Sequence, residues 1–248
     1  MPMLYHGSHE QALPRIQRDG ILPRAKSKGR NNWDHTVTSN RDAVYLTDAY
    51  AWHFASAACN KNERGLIFEI NRDFLLPWLL CPDEDFLEQA SRKVAPSPER
   101  PYMAPLNWSM KKRTLHYRKV AKFNPTLADK SLEHMGTAGY YGPVPWQAIT
   151  RYVLIDWNKM DASMHMRAVD SMVSTMNYLI LQDRHRALTR WFFGDPVTAE
   201  ELNGFAGVEI KDEEMGRLIG KQADHTRAAI ANRSGLTVVN CNHERVEV

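Results

Sequence analysis

The 248-residue chain predicts an α+β fold. Three observations carry that expectation. Short apolar runs of strand length recur near residues 4–8, 44–46, 66–70, 152–155 and 235–240; stretches of helical spacing separate them; and helical periodicity dominates the last third. The expected organisation is a core over residues 1–158 and a mostly helical C-terminal extension over 159–248, packed on that core.

The elements follow in order. Leu4-Tyr5-His6-Gly7-Ser8 reads as a strand entering a polar turn, and residues 10–18 as a short helix with Leu13 and Ile16 inward. Gly20 suits a left-handed cap and Pro23 blocks continuation. Residues 24–41 are polar and basic and read as an irregular loop over the site. Val44-Tyr45-Leu46 is the next strand, with Thr47 or Asp48 capping a helix over about 49–60. The run 64–70 alternates, placing Leu66, Phe68 and Ile70 on one side and Glu69 on the other. A helical turn interrupted by Pro77 follows, then an amphipathic helix over 83–94 with Phe86 and Leu87 inward. Pro96, Pro98, Pro101 and Pro105 mark a connection. Gly136, Gly139 and Gly142, set among Tyr140, Tyr141, Pro143 and Pro145, read as a second flexible loop before a strand at 152–155. Val169, Met172, Val173, Met176, Leu179 and Ile180 predict a long helix over about 162–191, its methionines serving core packing. Gly194-Asp195-Pro196 stops it, and Thr198-Ala199-Glu200-Glu201 is a capping-type start. A helix over 212–232 and a strand over 235–240 complete the chain.

Composition excludes several classes. Three widely spaced cysteines, Cys59, Cys81 and Cys241, cannot form a disulfide framework and lack zinc-site spacing, so the expected compartment is reducing and cytoplasmic. The start lacks the pattern of a signal peptide, and no run approaches the roughly 20 apolar residues of a membrane span, so no membrane partner is expected. Net charge is only +3, but its distribution is uneven. From Pro101 to Ala128 there is no Asp or Glu, while Lys111, Lys112, Arg113, Arg118, Lys119 and Lys122 are interleaved with Trp108, Tyr117 and Phe123. Cations attract phosphate and aromatic faces stack on unpaired bases, so DNA or RNA is the expected partner, against the simpler reading of a solvated, merely solubilising segment.

No GxGxxG, Gly-Lys-Ser/Thr phosphate loop, HExxH or GxSxG occurs. His6 and His9 lack further partners at ligand spacing, so no metal is assigned. If the first two strands lie side by side, His6 and Tyr45 face one cleft, with Gly7 admitting a ligand close to the backbone. Taken singly, His6 reads as a structural histidine and Tyr45 as a strand aromatic.

The order of the pieces adds a resemblance. A strand bearing Tyr-His-Gly-Ser, a basic helix and loop, a Val-Tyr-Leu-Thr-Asp strand, an Ala-rich helix and the Leu66-Ile67-Phe68-Glu69-Ile70 strand together resemble the ADP-ribosyltransferase superfamily. The likeness is to its His-Tyr-Glu branch, which holds diphtheria-toxin-like enzymes, poly(ADP-ribose) polymerases and RNA 2′-phosphotransferases. It spans roughly residues 3–72 and 139–156. It implies a split β-sheet core with flanking helices. It also implies that His6 bonds a ribose hydroxyl of NAD, that the Gly7 backbone holds the nicotinamide amide beside Ser8, and that Tyr45 stacks on the nicotinamide ring. Arg24 and Arg30 would lie near the adenosine and phosphates.

The third motif departs from the family. Where a Glu is expected, Pro145-Trp146-Gln147-Ala148-Ile149 offers Gln147, whose amide can orient a hydroxyl but cannot stabilise a sugar cation by charge. Either Gln147 is the family position and the chemistry is modified, or another carboxylate serves, for which Glu133, Glu69 and Asp156 are the candidates; Glu69 and Asp156 read more simply as solvent-facing strand residues, which leaves Glu133 the most open. The expected enzyme therefore cleaves an N-glycosidic bond, as a glycosyltransferase consuming NAD and passing ADP-ribose to nucleic acid or protein. A DNA base glycosidase on the same fold without NAD, and a catalytically inactive binding module, are the alternatives.

Overall fold

The computed structural model describes residues 3–27, 39–60, 63–93, 102, 104–105, 107–159, 183, 185–198, 201, 233 and 235–241. The protein is α+β, combining helices with antiparallel strands. In chain order the elements are β1 (Leu4–His9), α1 (Leu13–Asp19), α2 (Arg24–Ser27), β2 (Val44–Thr47), α3 (Ala51–Ala58), β3 (Gly65–Ile70) and β4 (Leu80–Pro82). There follow α4 (Glu84–Lys93), α5 (Met110–Phe123), α6 (Ala128–Met135), β5 (Thr137–Tyr140), β6 (Ile149–Ile155) and β7 (Leu236–Asn240). No described helix is long and apolar enough to cross a membrane. The chain divides into two compact units, each assembled from separated stretches: Pro14–Thr47 with Asn71–Ala148, and Met3–Leu13 with Asp48–Ile70 and Ile149–Val248.

In the first unit, β5 pairs antiparallel with both β2 and β4. Of the loop expected around Gly136, Gly139 and Gly142, residues Thr137–Tyr140 are therefore a buried central strand, while 141 and 142 form a bend. Its tyrosines and lack of charge fit burial on both faces. Gly136, at φ 68°, closes α6 in the left-handed conformation that glycine adopts without steric cost. Gly20 does the same for α1 at φ 74°, as the sequence predicts. Pro77 opens one of two 3-10 turns, Arg72–Phe74 and Pro77–Leu79. Helices α5 and α6 lie in stretches for which periodicity gave no helix. Ser109 caps α5, accepting the Lys112 N–H at 3.4 Å, and Tyr117 is fully buried with Leu87, Ala104 and Ala121. Of the expected loop over 24–41, residues 24–27 are helical, and 28–38 lie outside the described residues.

In the second unit, the antiparallel strands run β1-β3-β6-β7. All six β3 residues are buried, so its alternation does not mark a wet face. Glu69 is 4 % exposed, which overturns the expectation that it faces solvent. It shares its strand face with Ile67 and lies opposite Tyr5, where Trp52, Trp191 and Phe192 complete the core. Arg151 neutralises it through bonds of 2.8 and 2.6 Å and extends to Asp195 at 2.8 and 2.7 Å; the Thr150 hydroxyl adds 2.7 Å. Neither Thr47 nor Asp48 caps α3. The Thr47 hydroxyl donates to the Gly136 carbonyl at 2.5 Å within the first unit, Asp48 pairs with Arg186, and Tyr50 sits at the cap. The Thr198–Glu201 capping box forms as predicted, with reciprocal bonds of 3.1 and 2.7 Å. Of the helix expected over about 162–191, residues 185–192 are helical and 160–182 lie outside the described residues, as does the 212–232 helix.

Candidate functional site

The first unit gathers its titratable groups around Tyr45. Register places Cys81 opposite Gly139 and Gly139 opposite Tyr45, so the three form one row across β4, β5 and β2. Strand β4 ends at Pro82, which cannot extend a ladder. Asp83 then starts α4: its carboxylate accepts the Asp85 N–H at 2.9 Å, and its own N–H donates to Ser131 Oγ at 3.0 Å. Glu84 thereby becomes the first residue of α4 and is 2 % exposed.

Glu84 Oε2 accepts the Tyr45 O–H, and Glu84 Oε1 has no hydrogen-bond partner among the described residues. The Asn40 backbone N–H donates to the Tyr45 hydroxyl oxygen at 2.6 Å. The Asn40 side-chain amide donates to the Tyr141 hydroxyl at 3.1 Å. One residue earlier, the Ser39 carbonyl accepts from Arg24 at 2.9 Å and from Arg118 at 3.1 Å. A phenol is thus held between a carboxylate and a backbone N–H, with two guanidinium groups one residue away.

Burial, and after it the neighbouring Asp83 charge, raises the Glu84 carboxyl to about 7. Asp83 is raised as well, through burial. Burial and then the Glu84 charge hold the Tyr45 phenol well above the ordinary tyrosine range, and Tyr141 is raised for the same two reasons. Burial pushes the Cys81 thiol up to about 11. At neutral pH, Glu84 therefore exchanges between its two protonation states while both phenols remain O–H donors.

Of the residues singled out in the sequence, the structure brings together Tyr45, Arg24 and Arg118. Arg30 lies outside the described residues. His6, Gly7 and Ser8 are half-buried on β1 of the second unit. A side chain at Gly7 would fall inside 3.0 Å of the Ala51 carbonyl and the Ala55 nitrogen, so α3 already occupies the room that the glycine leaves. Gln147 is exposed in the 3-10 turn Trp146–Ala148, and Glu133 is exposed on α6. Asp156, half-buried after β6, accepts the Asn158 N–H at 3.1 Å and pairs with Lys159 at 3.5 Å.

The basic segment divides by helix face. Arg113 turns inward onto the buried Glu88 carboxylate, which removes it from the expected nucleic-acid contacts because its charge is neutralised inside the unit. Arg118 also turns inward, to Ser39. Lys111, Lys112, Lys119 and Lys122 remain exposed, with Lys112 Nζ 3.8 Å from the centre of the half-buried Trp108 ring.

Glu84 carries no role in the sequence reading, which places it within an amphipathic helix over 83–94 with Phe86 and Leu87 inward. A signal was present: Glu84, Leu87 and Glu88 stand at i, i+3 and i+4, so two carboxylates share the face that Leu87 buries. Among the described residues, no group of three or more His, Cys, Asp or Glu side chains is arranged to hold a metal ion. No family model, curated protein or solved structure matches the chain.

Proposed function

We propose that the chain is an ADP-ribosyltransferase-like enzyme that cleaves the N-glycosidic bond of NAD and passes ADP-ribose to a nucleic acid or protein. The observation that carries this reading is the restraint on Tyr45. Its hydroxyl is held at two points, by Glu84 and by Asn40, and its cross-strand neighbour is a glycine. A flat ring with a fixed hydroxyl and no side chain opposite suits stacking on a planar leaving base. Breaking the C1′–N bond sends the electron pair to that base and leaves a sugar cation, which the acceptor attacks. Glu84 acts here as a positioning residue, through the Tyr45 hydroxyl. Arg24 and Arg118 supply positive charge for phosphate.

The exposure of Gln147 and Glu133 favours a second reading, a glycosidase that excises a base from DNA without NAD. Neither residue offers a buried carboxylate of the kind the family's third motif requires. Incubation with nicotinamide-labelled NAD, and separately with DNA, divides the readings. Free nicotinamide is expected. Free base or abasic DNA in its place assigns the glycosidase, and neither product leaves a binding module. Tyr45→Ala is expected to reduce turnover at least about 100-fold and Tyr45→Phe much less, since Phe keeps the ring. Glu84→Gln should shift the pH dependence of turnover near pH 7 rather than abolish it, a change that a merely structural side chain would not produce. Full activity in Tyr45→Ala would sink the assignment.

A further inference from the structure

We infer that the outer face of α5, together with the Pro77–Leu79 turn, is a binding surface for single-stranded nucleic acid. This deepens the transfer reading by naming its acceptor.

Positions 111, 115, 119 and 122 follow helical spacing along one side of α5 and present Lys111, Leu115, Lys119 and Lys122, all exposed. Phe123, one turn beyond Lys119, is 70 % exposed, and Trp78 is 63 % exposed. The two aromatics belong to one neighbourhood. The 3-10 turn carrying Trp78 packs against the Pro125–Leu127 turn that directly follows α5, and Lys122 lies near enough to β4 to bear on the Cys81 thiol. Large aromatic side chains left in water forgo the gain of burial. Clustered beside cations, they mark a contact surface.

The chemistry of the surface selects its occupant. No acidic residue occurs between Pro101 and Ala128, and the inward Arg113 is already neutralised, so the outward charge of α5 is wholly positive. The acidic residues flanking that stretch in the chain are Glu99, outside the described residues, and Asp129, paired with Arg72 at 2.6 Å. Positive charge calls for a polyanion. The flat aromatic faces of Trp78 and Phe123 beside that charge call for unpaired bases, whose faces a duplex keeps stacked.

The test measures fluorescence anisotropy of labelled oligodeoxythymidine of about 20 nucleotides, its duplex and anionic vesicles, with full-length protein and no NAD. Single strands are expected to bind with a salt slope that falls by about 0.7 for each of Lys119→Gln and Lys122→Gln. Trp78→Ala and Phe123→Ala are each expected to weaken binding about 5- to 100-fold. All four side chains are exposed, and circular dichroism checks that the variants fold. Absence of oligonucleotide binding, equal binding of duplex, or unchanged affinity in both aromatic variants overturns the proposal. So does binding of vesicles alone, which would identify a membrane surface. Because no NAD is present, strand binding is measured without any transfer, so loss of the surface and loss of transfer chemistry are read separately.

Discussion

A carboxylate at the first residue of a helix is ordinarily stabilised in its charged form by the free N–H groups and the dipole at that end. Glu84 occupies such a position, yet burial and the adjacent Asp83 outweigh that help and raise it to about 7 from 4.5. Between those values the folded chain binds more protons than the unfolded chain, so Glu84 makes stability fall as pH rises from about 4.5 to about 7. Asp83, raised in the same direction, adds to that fall. Melts of the natural protein should therefore show a lower transition temperature at pH 8 than at pH 5. Glu84→Gln, whose amide oxygen can still accept the Tyr45 O–H, should flatten that dependence; a steeper dependence in the variant would show that Glu84 is not its source. Tyr45→Phe would leave a buried carboxylate and the Asn40 N–H without a partner, at a cost of about 1–3 kcal/mol in urea unfolding.

At the scale of elements, α5 shows how one basic helix divides into two roles. Its inner face is structural: Tyr117 and Ala121 enter the core, and Arg113 meets Glu88 with side-chain exposures of 11 % and 5 %. Arg113→Ala would remove the guanidinium that meets that buried carboxylate, so a loss of about 3–5 kcal/mol is expected in denaturant titrations. Lys119→Ala, on the outer face, should stay within about 0.5 kcal/mol of the natural chain. An equal effect of the two changes would contradict this division. Strand β5 makes the converse point. Gly139 and the glycines flanking the strand look like a loop in isolation, and only pairing on both sides with β2 and β4 makes a strand of it. Pairing partners far along the chain cannot be read from a local window.

For the whole molecule, the two units are interleaved along the sequence, and the second depends on residues from the C-terminal third. Leu188, Trp191, Phe192 and Phe193 are at most 5 % exposed in the same cluster as Tyr5, Trp52 and Ile67. A chain ending at residue 158 loses those four side chains along with β7, a deficit on the order of 10 kcal/mol against the about 5–15 kcal/mol by which domains are stable. It should lack a cooperative melt and near-ultraviolet dichroism; a sharp transition in the truncated chain would refute that dependence. What the sequence by itself determined was local: strands β1, β2, β6 and β7, the glycine stop at Gly20, the Thr198–Glu201 cap, and Tyr45 as a residue to watch. Each rests on alternation, a left-handed backbone or a short-range hydrogen bond, all contained in a few consecutive residues. Only the tertiary structure decided that Glu84 meets Tyr45, that Arg151 neutralises Glu69, and that Arg113 turns inward while Lys119 stays in water. Those outcomes depend on burial and on charges 25 to 82 residues apart in the chain, which no local pattern records.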